Sequence, residues 1–210
     1  MYTPPHFKME DLAEIQAFVK AHSFGILFSQ TEQGPTGTHL PFYLVEQEGE
    51  YGVLYGHMAR ANPHWKSTAK DVLVVLAGPH HYISPTWYQE PGNVPTWNYT
   101  AVHVYGQIEM FEERDALLEL LDRTTDFFEA GMEKPWKVAE SQEYAERILG
   151  GIVGFKIVIT RLEGKQKLNQ NKSAQLQQNV IAGLRMQENG QAHAVAGLME
   201  QRAAQKTAKE

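Results

Sequence analysis

Six short stretches of strand character, separated by turns and by few helices, constrain this chain more than any other feature of its sequence: Phe24 to Ser29, Thr38 to Val45, Tyr51 to His57, Asp71 to Ala77, Tyr99 to Met110 and Val153 to Leu162. In most of them apolar residues alternate with polar or small ones, the period of a strand with one face buried. Val102, Val104 and Ile108 fall on one side of their stretch, and His103, Tyr105 and Gln107 on the other. The run Val72-Leu73-Val74-Val75-Leu76 does not alternate, which predicts a strand buried on both faces. So many strands with so few helices between them exclude a parallel βαβ sheet. They predict a mainly β fold, an antiparallel barrel of about six strands with peripheral helices.

The helical stretches lie around this set. Leu12, Ile15, Phe18 and Val19 recur at helical spacing between Glu10 and His22. A second helix is expected over Glu112 to Gly131, with Leu117, Leu118, Leu121 and Phe128 toward the core, and a shorter one over Ser141 to Leu149. From Ser173, the spacing of Leu176, Val180 and Leu184 predicts a helix that Glu188-Asn189-Gly190 interrupts before another over Ala192 to Ala204. The chain accordingly divides into a barrel domain over residues 1–165 and a C-terminal helical extension over residues 166–210, packed on the barrel or on a partner.

Charge separates the same two parts. Residues 1–160 carry 11 Lys/Arg against 21 Asp/Glu, a balance of −10, whereas residues 161–210 carry 8 against 4, a balance of +4. Only the tail attracts polyanions, so net charge does not support DNA as a partner. No apolar run reaches membrane-spanning length and the N-terminus lacks a basic-then-apolar signal pattern, which points to the cytoplasm. The absence of cysteine removes disulfides, thiolate nucleophiles and Cys-ligated metals.

The stretch Gly56-His57-Met58-Ala59-Arg60-Ala61-Asn62-Pro63-His64-Trp65 reads as a strand entering a short helix over Pro63 to Thr68. Asn62 is a natural cap, Pro63 a first-turn residue, and Arg60 a permanent charge with a planar fork of donors. Free amides at the helix start beside Arg60 would make an anion pocket. Between Gly78 and Tyr99 the chain is rich in Trp, Tyr, His and Pro without either period, a long ordered loop whose rings either form a platform for a flat ligand or simply staple the loop to the fold. The nine histidines form no HExxH or compact ligand cluster, and no metal site is assigned. G-x-S-x-G is absent, and Gly150-Gly151-Ile152-Val153-Gly154 precedes a strand instead of following one, the wrong context for a dinucleotide loop.

Several of these stretches occur in order with others: GHMARANPHW, GPHHYISPTWY, VPTWNYTAVHVYG, Lys134-Pro135-Trp136, GGIVGFKIVITRLEGKQKLNQN and Gly183-Leu184-Arg185. Together they resemble the PaiB family over roughly Met1 to Met199, with Asn169 where the family pattern leads one to expect Ser. Members are described as FMN-binding negative transcriptional regulators, linked in bacilli to repression of sporulation and of degradative enzyme production. The resemblance implies an FMN-binding split barrel, a homodimer with FMN or another small ligand. It implies that His57, Arg60 and Asn62 meet the FMN phosphate, that Thr38 and His39 reach the ribityl chain or the ring edge, and that Trp97 and Asn98 approach from the aromatic loop. The alternative is an FMN-dependent oxidoreductase acting on a small molecule, with His39 or His103 as proton donor and no catalytic residue assigned. Haem is a further possibility in such barrels, with an exposed His39 or His64 as axial ligand.

Overall fold

The computed structural model describes residues 1–66 and 69–207. After a one-turn 3-10 helix (Pro5–Phe7), the elements in chain order are β1 (Lys8–Met9), α1 (Leu12–Ala21), β2 (Phe24–Thr31), β3 (Gly34–Pro41), β4 (Tyr43–Val45), β5 (Val53–Ala59), β6 (Asp71–Ile83), β7 (Thr96–Phe111), α2 (Arg114–Glu129), α3 (Gln142–Ile148), β8 (Ile152–Lys167), α4 (Ala174–Arg185) and α5 (Gly190–Thr207). Short 3-10 turns at Pro63–Lys66, Pro85–Tyr88, Val138–Ser141 and Leu149–Gly151 join them. The eight strands form one sheet in the order β3-β2-β6-β7-β8-β5-β4, with β1 paired to β8. The β1–β8, β2–β3, β2–β6, β4–β5 and β5–β8 pairings are antiparallel.

The sheet has more strands than the sequence pattern suggested, for local reasons. A break at Phe42 divides the stretch from Thr38 to Val45 between β3 and β4, and the two-residue β1 is too short to show a period. The strand through Val72 to Leu76 alternates after all: Val72, Val74 and Leu76 are buried while Leu73 and Val75 are partly open. Its β-branched residues suit a pleated surface whichever way they point. Strand β6 then continues through Pro79 to Ile83, so the irregular aromatic segment is shorter than the composition suggested. On α2 the buried stripe is Leu117, Leu120 and Thr124, one position round from the predicted one, and Phe128 is 43% exposed. Of the helix expected over Pro63 to Thr68, the structure shows one 3-10 turn to Lys66, and Ser67 and Thr68 lie outside the described residues.

Contacts divide the chain into two compact units. One comprises Leu12–Leu76 and His103–Leu162. Its β5–β8 register sets Leu54 opposite Ile157 and Gly56 opposite Phe155, all buried. A Cβ on Gly154 would lie 2.4 Å from the Phe111 ring, so glycine is what lets that ring close on the strand.

The other unit comprises Met1–Asp11, Ala77–Val102 and the chain from Glu163. Its core gathers Ile83 and Tyr88 with Leu176, Val180 and Leu184 of α4 and with Ala192, Val195 and Met199 of α5. The spacing of Leu176, Val180 and Leu184 is thus a buried stripe, as the sequence predicted. A Cβ on Gly183 would lie 2.5 Å from Trp87, which explains the glycine in Gly183-Leu184-Arg185. Asn169 adopts a φ of 63°, a left-handed conformation that Asn tolerates better than Ser, and its Nδ2 donates to the Tyr88 hydroxyl at 3.0 Å. The departure from the family pattern is therefore locally favourable.

Candidate functional site

The strand β5 ends at Ala59, and the chain turns at once into the 3-10 turn that carries His64. His64 is 3% exposed and both its ring nitrogens are engaged. Nε2 lies 2.7 Å from the Ser29 hydroxyl and Nδ1 2.7 Å from the Thr38 hydroxyl. Asn62 completes the set, donating from Nδ2 to Thr38 Oγ1 at 3.3 Å and accepting the His64 amide on Oδ1 at 3.0 Å. Burial lowers the His64 pKa, so the ring is a neutral cross-link between β2, β3 and the turn. This corrects two expectations. His64 is neither exposed nor available as a haem ligand, and its amide is capped by Asn62 instead of pointing free at an anion.

Arg60 is turned toward the start of β8. Its Nε donates to the Gly150 carbonyl at 2.7 Å, Nη2 to the Ile152 carbonyl at 3.2 Å, and Nη1 to Glu112 at 2.8 Å. Its amide donates to the Gly151 carbonyl at 2.8 Å. Gly150 and Gly151 thus both meet Arg60 through their carbonyls, one at the guanidinium and the other at the backbone amide. No sequence pattern announced this contact, because the partners are ninety residues apart. Three of the guanidinium's five N–H donors are used. The other two have no hydrogen bond among the described residues.

His57 differs from both. Its ring is half-buried, makes no hydrogen bond among the described residues, and is held neutral by burial, which lowers its pKa. It lies on the face of β5 that also carries Tyr55, opposite Gly154 in the register. Thr38 and His39, as neighbours on β3, point to opposite faces; Thr38 joins the His64 network while His39 is exposed and stacks on Phe24 at 6.3 Å. Of the residues named for a cofactor, then, the structure brings Thr38 and Asn62 together, and sets His39, His57 and Arg60 in separate surroundings. Sequence inspection missed Ser29 and the role of His64, since neither forms a local motif.

In the other unit, Trp97 and Asn98 stand on opposite faces of β7. Trp97 is 53% exposed and meets His80 and Tyr82 at ring-centroid distances of 6.4 and 6.1 Å. With Tyr99 and the small residues Ala77, Gly78 and Ala101 it lines a shallow apolar groove of about 350 Å³. Lys167, whose pKa is lowered by burial and by Lys165, donates to the Trp97 carbonyl at 2.9 Å and to Thr96. Asn98 is fully buried: Nδ2 donates to Met199 Sδ at 3.4 Å, while Oδ1 has no hydrogen-bond partner, nor has Thr100 Oγ1 two residues on. His103 Nδ1 is likewise buried and unpartnered, and burial lowers its pKa. Among the described residues no three or more His, Asp and Glu side chains gather as a metal site would need.

These elements define a split-barrel protein, and solved structures share the fold. The FAD and heme binding protein from Mycobacterium smegmatis superimposes with a TM-score of 0.57 at 14% identity, covering 84% of this chain and 80% of that one. The flavocytochrome Anf3 from Azotobacter vinelandii does so with a TM-score of 0.55 at 16% identity, over 76% and 69% of the two chains. In sequence, the family described as "Putative FMN-binding domain" matches residues 1–161. The protease synthase and sporulation protein PAI 2 of Bacillus subtilis is 42% identical over 95% of this chain and 97% of its own. The chain belongs to the PaiB family of FMN-binding split-barrel proteins. No helix among the described residues is long and apolar enough to cross a membrane.

Proposed function

We propose that the protein is an FMN-responsive negative regulator of sporulation and of degradative enzyme production. Family membership carries this reading: the match to the FMN-binding family takes in most of the chain, and the similarity to PAI 2 runs nearly end to end. The residues present suit FMN. His57 offers an imidazole without a hydrogen-bond partner among the described residues, and Arg60 retains donors beyond those spent on Gly150, Ile152 and Glu112, so these two are assigned to the phosphate. Thr38 and Asn62, fixed in place by His64, serve the ribityl chain, and His39, on the opposite face of β3, is assigned to the ring edge. Trp97, with its exposed ring, and Asn98, with an unspent acceptor, are assigned to the FMN ring from across the proposed dimer. FMN supplies the redox-sensitive ring; the protein's part is to hold and orient it.

The working form in this reading is a cytoplasmic homodimer. Repression runs through a protein partner or the positively charged tail, since residues 1–160 carry a balance of −10. Titration of purified protein with FMN, followed by quenching of flavin fluorescence, tests the cofactor; saturable binding at one FMN per chain is expected, and absence of binding overturns it. Deleting the gene should raise extracellular protease output, and unchanged output would remove the regulatory role. Sedimentation equilibrium checks the dimer.

A further inference from the structure

The unit that holds β5 also contains a cleft of about 390 Å³, a volume typical of small-molecule sites, and it shares no residue with those named for FMN. Strand register builds its floor. Tyr43 stands opposite Tyr55 across β4 and β5, and Tyr55 opposite Lys156 across β5 and β8. Directly opposed residues share a face, so two phenol rings and an ammonium lie in one row. Phe111 and, from α2, Leu120 and Ala116 supply apolar walls, and Ala116 is small enough to leave the space open.

The ionic groups of the cleft are unequally satisfied. Lys156 pairs with Glu109 at 3.0 Å, and Arg123 with Glu119 at 2.5 Å. The remaining carboxylate, Glu48, accepts the Tyr55 hydroxyl on Oε2 at 2.5 Å, while Oε1 has no hydrogen bond among the described residues and stands 3.9 Å from Arg123 Nη1. Burial and the Glu48 carboxylate push the Tyr55 pKa up to about 12, which keeps the phenol a donor. The lining thus holds three carboxylates against two cations, with Arg123 shared between Glu119 and, at the longer distance, Glu48.

We propose that this cleft binds a small organic ammonium ion with an apolar body, its nitrogen on Glu48 Oε1 and its hydrocarbon against Tyr43, Phe111 and Leu120. The rings of Tyr43 and Tyr55 favour a cation over their faces, and the carboxylate surplus repels an anion of the same shape. An uncharged alcohol fits the walls but lacks the attraction to Glu48.

The test uses the full chain, with hexylammonium chloride, sodium hexanoate and hexanol titrated separately at matched ionic strength and followed by two-dimensional NMR. Saturable shifts at Tyr43 and Tyr55 are expected with hexylammonium and not with the other two. Glu48→Gln should weaken hexylammonium binding by roughly fivefold, the upper effect of a partly exposed ion pair. Ala116→Phe, which fills the cleft without altering a charge, should abolish the shifts while leaving FMN binding as in the parent. Hexanoate or hexanol binding as well as hexylammonium, no saturation in the parent protein, or unchanged affinity in Glu48→Gln would each overturn the proposal.

Discussion

Two sets of buried polar side chains are satisfied in opposite ways, one around His64 and one on β7. Around His64 each ring nitrogen meets a hydroxyl, and Asn62 ties the Thr38 hydroxyl to the His64 amide. On β7 the buried Asn98 Oδ1 and Thr100 Oγ1 meet nothing. A paired network in a low-dielectric interior stiffens and specifies the fold, whereas an unpaired acceptor costs about 1–3 kcal/mol and persists only where something other than stability retains it. The first arrangement is architecture. The second, with His57, is what the proposed FMN reading assigns to the ligand.

His64→Ala should break the comparison most severely. It removes a buried ring and takes the histidine partner from two hydroxyls, and the expected loss is about 3 kcal/mol, a fall on the order of 10 °C in melting temperature. A change under 1 kcal/mol, by the same estimate, would show the network to be ornamental. Arg60→Ala comes next: FMN should bind more weakly by roughly 1.5–3 kcal/mol, read by fluorescence titration, while melting moves little because its pair with Glu112 is partly exposed. Asn98→Leu removes an unpaired acceptor and keeps the number and branching of the side-chain heavy atoms, so stability should fall by less than about 2 kcal/mol despite the larger methyl groups, with FMN affinity reduced. A large loss of stability would place Asn98 with His64.

Acid supplies the smallest effect. Burial lowers the pKa of His57 and His64 below the ordinary 6.5, so the unfolded chain takes up protons there before the folded one. Their contribution is complete above about pH 6.5 and is lost as pH falls from there through the depressed folded values. The melting temperature should therefore drop between about pH 7.5 and pH 5.5, and drop less in His64→Gln. Equal slopes would remove His64 from the acid response.

Much of this architecture was legible beforehand, because period-two alternation and the α4 stripe of Leu176, Val180 and Leu184 are local signals that tertiary packing obeyed. The stripe of α2 was misread because Leu117, Leu118, Leu120 and Leu121 leave several rotations equally apolar, and only the partner strand selects among them. The site was legible in its residues and not in its geometry. Asn62 and Pro63 announced a turn that exists, but Ser29 and Thr38 reach His64 from a hairpin more than twenty residues away, and Gly150 reaches Arg60 from farther still. Such contacts depend on sheet order, which no local pattern carries.

The distinction between spent and unspent groups is tested most directly by the FMN dissociation constant of His57→Ala, measured by fluorescence quenching beside its melting curve. The half-buried ring makes no hydrogen bond among the described residues, so melting should stay within about 2 °C of the parent while FMN affinity falls roughly tenfold. Unchanged affinity, or a collapse of stability with affinity intact, would contradict the account.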